Sequence, residues 1–248
     1  MHTPYRPDPP VVLDRREGPY GEVVLRRHGD LLQIIANGTF LMDTSDGRSE
    51  RLLVDAAYDA LDGLPRAGDA PRPSVLIGGL GVGFSLAHAA ADARWGRITV
   101  VEREQAVIDW HREGPLAELS RRALADPRTE ILHADLVAYV TGPFASVNTS
   151  SVPDADASPA TYDALCLDID NGPDWTVTPD NDSLYSPTGL AACKARLNPG
   201  GVLAVWSAQP SPAFGSALRN AGFQQVRTEE IPVARGVPDV VHLATRAA

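Results

Sequence analysis

Residues 74–90, SVLIGGLGVGFSLAHAA, constrain the fold of this chain more than any other stretch. The apolar run Val75-Leu76-Ile77 leads into Gly78-Gly79-Leu80-Gly81-Val82-Gly83, and an Ala-rich segment follows. A short apolar run bounded by glycines predicts a buried strand over Ser74–Ile77. The alanines predict a helix over Val82–Asp92. Glycines between the two let the backbone turn sharply and approach a bound group closely. The helix N-terminus adds free amides and a partial positive charge.

Downstream the chain keeps alternating. Strands are predicted at Ile98–Glu102, Thr129–His133, Ala164–Asp168 and Val202–Ser207. Helices are predicted at Gln105–Arg112, Glu118–Ala125, Leu136–Val140, Thr188–Leu197 and Ser211–Ala221. Two last strands, Phe223–Ile231 and Asp239–Thr245, are joined by a Gly/Pro loop without a helix, so they should run antiparallel. Alternation of this kind predicts an α/β protein with a parallel sheet covered by helices on both faces. A mostly parallel, seven-stranded Rossmann-like sheet ending in an antiparallel hairpin resembles the class I methyltransferase fold.

Upstream, Val23–Arg27 and Leu31–Ile35 are β-prone and flank His28-Gly29-Asp30, while Asn37-Gly38 precedes Thr39–Met42. These features predict a small antiparallel sheet. Residues 49–62 place Leu52, Leu53, Ala56, Ala57, Ala60 and Leu61 on one side of a helix, with Ser49 as N-cap and Gly63 at its end. The expected organisation is a disordered arm at 1–10 and a small β-rich region plus helix at 11–65. A Rossmann-like nucleoside-binding catalytic domain follows at 66–248, with a flexible Ser/Pro/Ala/Asp-rich insertion at 141–161.

The chain has 248 residues, 44% of them apolar, enough for a real core. Its 22 basic and 32 acidic residues give a net charge of −10, which disfavours nucleic acid and anionic lipid and tolerates cationic small molecules. No leader-like apolar segment opens the chain and no stretch reaches 18 apolar residues, so a cytoplasmic protein without a membrane span is expected. Cys166 and Cys193 sit in apolar stretches and read as core thiols, and no Cys/His cluster suggests a metal.

Gly78, Gly79, Gly81 and Gly83 are the candidate cofactor contacts of the turn. Glu102 ends the next strand, where an acid can accept both ribose hydroxyls of a nucleoside. Asp135 and Leu136 follow the third strand, where a carboxylate can accept from an adenine amino group. Ligands bind at the carboxyl ends of neighbouring strands in such sheets. Either acid alone is more often a helix cap than a ligand contact. A nicotinamide cofactor would also suit the turn, but no second nucleotide half is visible. Asp168 ends the next strand, placed to take a proton from an amine or to face a cationic group. Asp170, Asn171, Asp174 and Trp175 follow it as candidate substrate contacts. Asp170 and Asp174 fit a solvated turn equally well, and Trp175 fits either a pocket wall or a core cover.

The segments LIGGLGVG, ITVVEREQAVI, ILHADLVAYV, YDALCLDIDNGPDW and NPGGVLAVWSA, with the terminal hairpin, resemble the spermidine synthase family and especially its bacterial synthase-like relatives. The resemblance spans roughly residues 20–246. It implies transfer of an aminopropyl group from decarboxylated S-adenosylmethionine to an amine such as putrescine. It implies that Gly78, Gly79 and Gly81 line the cofactor, Glu102 its ribose, Asp135 and Leu136 its adenine, and that Asp168 activates the amine. A homodimer is implied too. Two positions depart from the family pattern: Gly81 replaces an Asp of the turn, and Asn171 replaces the second acid of an Asp-x-x-Asp pair. The family's gate-side residues have Ser49-Glu50-Arg51 and Tyr58 as nearest counterparts. A missing carboxylate weakens ammonium binding by about 1 kcal/mol or more, which separates this chain from authentic spermidine synthases. The expected function is a spermidine synthase-like alkyl transferase acting on a small, cationic amine-type acceptor. The alternatives are a methyltransferase using ordinary S-adenosylmethionine and a non-catalytic nucleoside-binding protein.

Overall fold

The computed structural model describes residues 9–62, 71–142, 161–169, 171–176, 181–231 and 237–248. Most of the predicted arm, Gly63, most of the linker and residues 143–160 of the predicted insertion lie outside these.

Four strands, β1 (Val11–Gly18), β2 (Gly21–His28), β3 (Leu31–Ala36) and β4 (Thr39–Asp43), form an antiparallel sheet in chain order. Its turns use left-handed backbone at Gly29 and at Asn37-Gly38, as predicted. β1 was not predicted as a strand. Its sequence, VVLDRREG, lacks alternation and its side chains are mostly exposed. The backbone ladder to β2 and the Arg15–Glu22 ion pair hold it at the edge.

Helix α1 (Arg48–Asp62) comes next. Ser49 is not its N-cap. Asp46 Oδ1 accepts from the Arg48 amide, so the helix starts one residue earlier, and the Ser49 hydroxyl donates to Asp239 instead. The apolar stripe also shifts. At about 100° per residue Leu52 projects roughly 140° away from Ala57. Leu52 is accordingly exposed, while Leu53, Val54, Ala57 and Leu61 are buried.

The rest alternates: β5 (Val75–Gly78), α2 (Phe84–Ala91), β6 (Ile98–Glu102), α3 (Gln105–Arg112), α4 (Ala117–Leu124), β7 (Thr129–His133), α5 (Leu136–Thr141) and β8 (Tyr162–Leu167). It continues through α6 (Asp182–Tyr185), α7 (Pro187–Arg196), β9 (Leu197–Ser207), α8 (Pro212–Asn220), β10 (Gln224–Ile231) and β11 (Asp239–Thr245). The seven-stranded sheet has the order β10-β11-β9-β8-β5-β6-β7. β11 runs antiparallel to both β9 and β10, and β7, β6, β5, β8 and β9 are mutually parallel. This is the predicted mostly parallel sheet with its closing hairpin.

Three local differences have physical causes. α2 starts at Phe84, not Val82, because Gly83 is left-handed at φ 94°. β9 starts at Leu197, ahead of the predicted Val202. The segment Asn198-Pro199-Gly200-Gly201 pairs with Arg246 through two backbone hydrogen bonds rather than forming a free loop. The short helix α6 was not foreseen, because four residues carry no periodic signal.

Alternate strand residues face opposite cores. Ile77, Val100, Cys166 and Ala204 join a cluster with Leu53, Leu86 and Ile108. Leu76, Val101, Leu165 and Leu203 join another with Leu136, Leu190 and Leu218. Val23, Leu25 and Ile34 belong to the first cluster, so the small sheet packs into the same core as the large one. Cys166 and Cys193 are free and buried. No helix among the described residues is long and apolar enough to cross a membrane.

Leu53 is fully buried where α1 meets the large sheet. Leu53→Ala should lower unfolding stability by about 3 kcal/mol with an unchanged urea m-value. A loss below about 1 kcal/mol would show that α1 is not firmly packed on the large sheet.

Candidate active site

A cavity of about 530 Å³ lies between the small sheet and the carboxyl ends of β5, β6 and β8. In the sheet order β5 sits between β6 and β8, where the chain reverses its direction of winding. Open α/β sheets bind ligands at such a point.

The glycine turn forms one wall. Gly79 adopts φ 90°, and a Cβ there would lie 3.1 Å from the Asp168 carbonyl oxygen, so only glycine suits both its backbone and its neighbour. Gly81 adopts φ 51°, and a Cβ on it would meet the Met42 sulfur at 2.3 Å. Met42, from β4, therefore stands where a side chain of residue 81 would project. Gly79 and Gly81 line the cavity. Gly78 does not; it lies inside β5 and leaves room for Leu136, whose Cδ2 is 2.6 Å from an added Cβ. Gly83 does not either, since it backs onto the His111 ring.

Glu102 is almost fully buried. Its Oε2 accepts from the Leu80 amide at 2.8 Å and its Oε1 from the Glu104 amide at 2.8 Å. Burial raises its carboxyl above the usual range, against the lowering effect of those amides. Asp135 caps α5, with Oδ1 accepting from the Ala138 amide at 2.8 Å. Both acids thus hold backbone, and both also line the cavity, as Leu136 does.

Asp168 follows β8 directly. It is partly buried as a residue, and its carboxyl is enclosed enough to be pushed up to about 7. Burial is the largest cause, followed by the negative charges of Glu50 and Asp239. Burial likewise raises Glu50. Glu50 comes from the first turn of α1 and Asp239 from the start of β11, so three separate elements bring carboxylates to one wall. No described residue forms a salt bridge with any of the three. Nor are any three His, Cys, Asp or Glu side chains among the described residues grouped to hold a metal ion. The carboxylates interact through space rather than as a chelate.

Asn171 lines the cavity, whereas Asp174 and Trp175 do not. Trp175 is 61% exposed and so walls no pocket and covers no core. Asp170 lies outside the described residues. Glu50 carried a signal that was only half read. At about 100° per residue it projects within roughly 20° of Ala57, the centre of the buried stripe. An acid in the middle of an apolar stripe is unusual. Asp239, Met42 and Trp206 also line the cavity, and no local pattern marked them.

No protein-family model matches the chain, and no curated protein sequence matches it. Solved structures are similar to it. The crystal structure of spermidine synthase from Thermotoga maritima matches with a TM-score of 0.68 at 18% identity, covering 96% of this chain and 73% of that one. A spermidine synthase crystal structure in complex with the transition-state analogue AdoDATO matches with a TM-score of 0.67 at 18% identity, over the same shares of the two chains. The likeness is one of fold: a mostly parallel seven-stranded sheet with an antiparallel end, preceded by a small antiparallel sheet.

Because the Asp168 carboxyl is raised to about 7 in the fold from an ordinary 3.8, the folded state holds a proton that the unfolded chain releases. The contribution of Asp168 to stability therefore falls as pH rises from about 4 to about 7 and levels off above. Asp168→Asn should be more stable than the parent at pH 8, by on the order of 2 kcal/mol, and the gap should shrink by more than about half at pH 5. Urea midpoints at the two pH values test this; a gap that ignores pH would mean that the carboxyl is not strained by burial.

Proposed function

We propose that this cavity binds an S-adenosylmethionine-type nucleoside, and that the chain is a transferase passing an aminopropyl-type group to a cationic amine. The gathering of Glu50, Asp168 and Asp239 along one wall of the cavity, none of them in a salt bridge with a described residue, carries the reading. Three close carboxylates are costly unless something positive enters.

The residues present fit such a nucleoside. Each Glu102 oxygen accepts one amide and keeps a second lone pair for a ribose hydroxyl. Asp135 Oδ2 accepts from no described residue, which leaves it for a base amino group. One of the neighbours of this fold was solved with AdoDATO, which supports the decarboxylated cofactor.

When bound, the cofactor supplies a carbon attached to positively charged sulfur, a good leaving group. The chain's own residues would handle the amine. Glu50 and Asp239 attract its ammonium, and the arriving charge lowers the Asp168 carboxyl. Asp168, once ionised, accepts the proton that frees the nitrogen lone pair.

A second reading is methyl transfer from ordinary S-adenosylmethionine. The favouring observation is Gly81 with Met42 above it, which leaves no carboxylate at the turn for an aminopropyl ammonium.

Incubating the full chain with each cofactor and a panel of diamines separates the readings. Methylthioadenosine release from the decarboxylated cofactor is expected, with kcat/KM rising through pH 7. Asp168→Asn should lower kcat at least ~100-fold. Glu50→Gln and Asp239→Asn should each raise the amine KM about tenfold with kcat held within about threefold. S-adenosylhomocysteine as the only product would move the assignment to methyl transfer, and neither product would end both.

A further inference from the structure

We infer that His111 is a positioning residue for the cofactor-facing glycine turn, clamping the Gly81 carbonyl from behind with Ser120 as its brace. Its effect on ligand affinity rests on the nucleoside reading above; its hold on the turn does not.

The geometry is specific. His111, on α3, is 1% exposed, and its Nε2 lies 2.9 Å from the Gly81 carbonyl oxygen. Its Nδ1 lies 2.8 Å from Oγ of Ser120, on α4, which is fully buried. A carbonyl can only accept, so Nε2 carries the proton and donates. Nδ1 is then the acceptor, and the Ser120 hydroxyl donates to it. Burial holds the imidazole below its usual range, which favours this neutral form. The ring also seats Gly83, where a Cβ would lie 2.8 Å from Cε1. Two helices thus spend two buried polar side chains on one carbonyl of the turn.

That carbonyl belongs to a residue lining the cavity. The neighbouring Leu80 amide is held by Glu102. The turn is therefore gripped at consecutive residues from two elements: β6 through its amide and α3 through its carbonyl. A glycine-rich turn has much conformational freedom to lose, so unsupported it would be ordered only by the ligand. A clamp from behind orders it beforehand without taking space in the cavity, and preorganised sites bind more tightly.

The test uses His111→Leu, which fills the volume without a donor, and His111→Gln, whose amide nitrogen reaches about as far as Nε2. Hydrogen exchange read by mass spectrometry on peptides covering 75–90 reports the turn. Calorimetry with methylthioadenosine reports the site. His111→Leu should speed exchange at 79–83 about tenfold, leave Ile98–Glu102 unchanged and weaken methylthioadenosine binding about tenfold. His111→Gln should restore both to within about threefold. Unchanged exchange in His111→Leu, or a Gln variant no better than Leu, would overturn the inference. If His111→Leu does not fold, Ser120→Ala decides: faster exchange at the turn supports the clamp and unchanged exchange refutes it. Faster exchange together with no binding by the unaltered protein would refute the nucleoside reading while the clamp stands.

Discussion

The buried carboxylate of Glu102, accepting the amides of Leu80 and Glu104, is the interaction on which the rest of the site depends. Burying a carboxylate is costly, and two short charge-assisted hydrogen bonds to backbone offset part of that cost. In return the end of β6 and the glycine turn after β5 take a defined separation. Gly79 can then approach the Asp168 carbonyl, and Gly81 can pass beneath Met42. The shape of the cavity follows from these approaches.

The same cavity gathers charges that the fold would be more stable without. Asp168, Glu50 and Asp239 repel one another in a partly desolvated place, and the rise of Asp168 to about 7 reflects burial first and that repulsion second. Elsewhere the protein pairs its acids: Asp126 with Arg128, Asp92 with Arg94, Asp14 with Arg16. The cavity acids form no salt bridge with a described residue, which sets them apart from the surface pattern. Perturbed carboxyls concentrated in a cleft are characteristic of functional sites.

Much of the fold was legible because each signal was local. The strand, turn and helix of 74–90, the alternation that follows, and the helix-free link before Asp239 are readable within a few residues. The edge strand β1 was not, because pairing with β2 rather than side-chain pattern makes it a strand. The extension of β9 through Asn198-Pro199-Gly200-Gly201 was not, because its partner Arg246 lies 46 residues beyond Gly200. Of the site, Gly79, Gly81, Glu102, Asp135, Leu136, Asp168 and Asn171 were named from their places at strand ends, and all line the cavity. Gly78 and Gly83 were grouped with them, yet face Leu136 and His111, because Gly78 is still inside β5 and Gly83 caps α2.

By itself, the sequence determined the layered sheet and the line of groups along its carboxyl edge. Hydrophobic period and glycine placement act over single elements and need no distant partner. Only the tertiary structure decided that Glu50 and Asp239 face Asp168 and that Met42 fills the space beside Gly81. It alone turned His111 inward to the glycine turn. Those contacts join residues from 30 (Gly81 to His111) to 118 (Glu50 to Asp168) positions apart, and the direction of a side chain across such a gap is set by how helices and sheets pack, which no local pattern encodes.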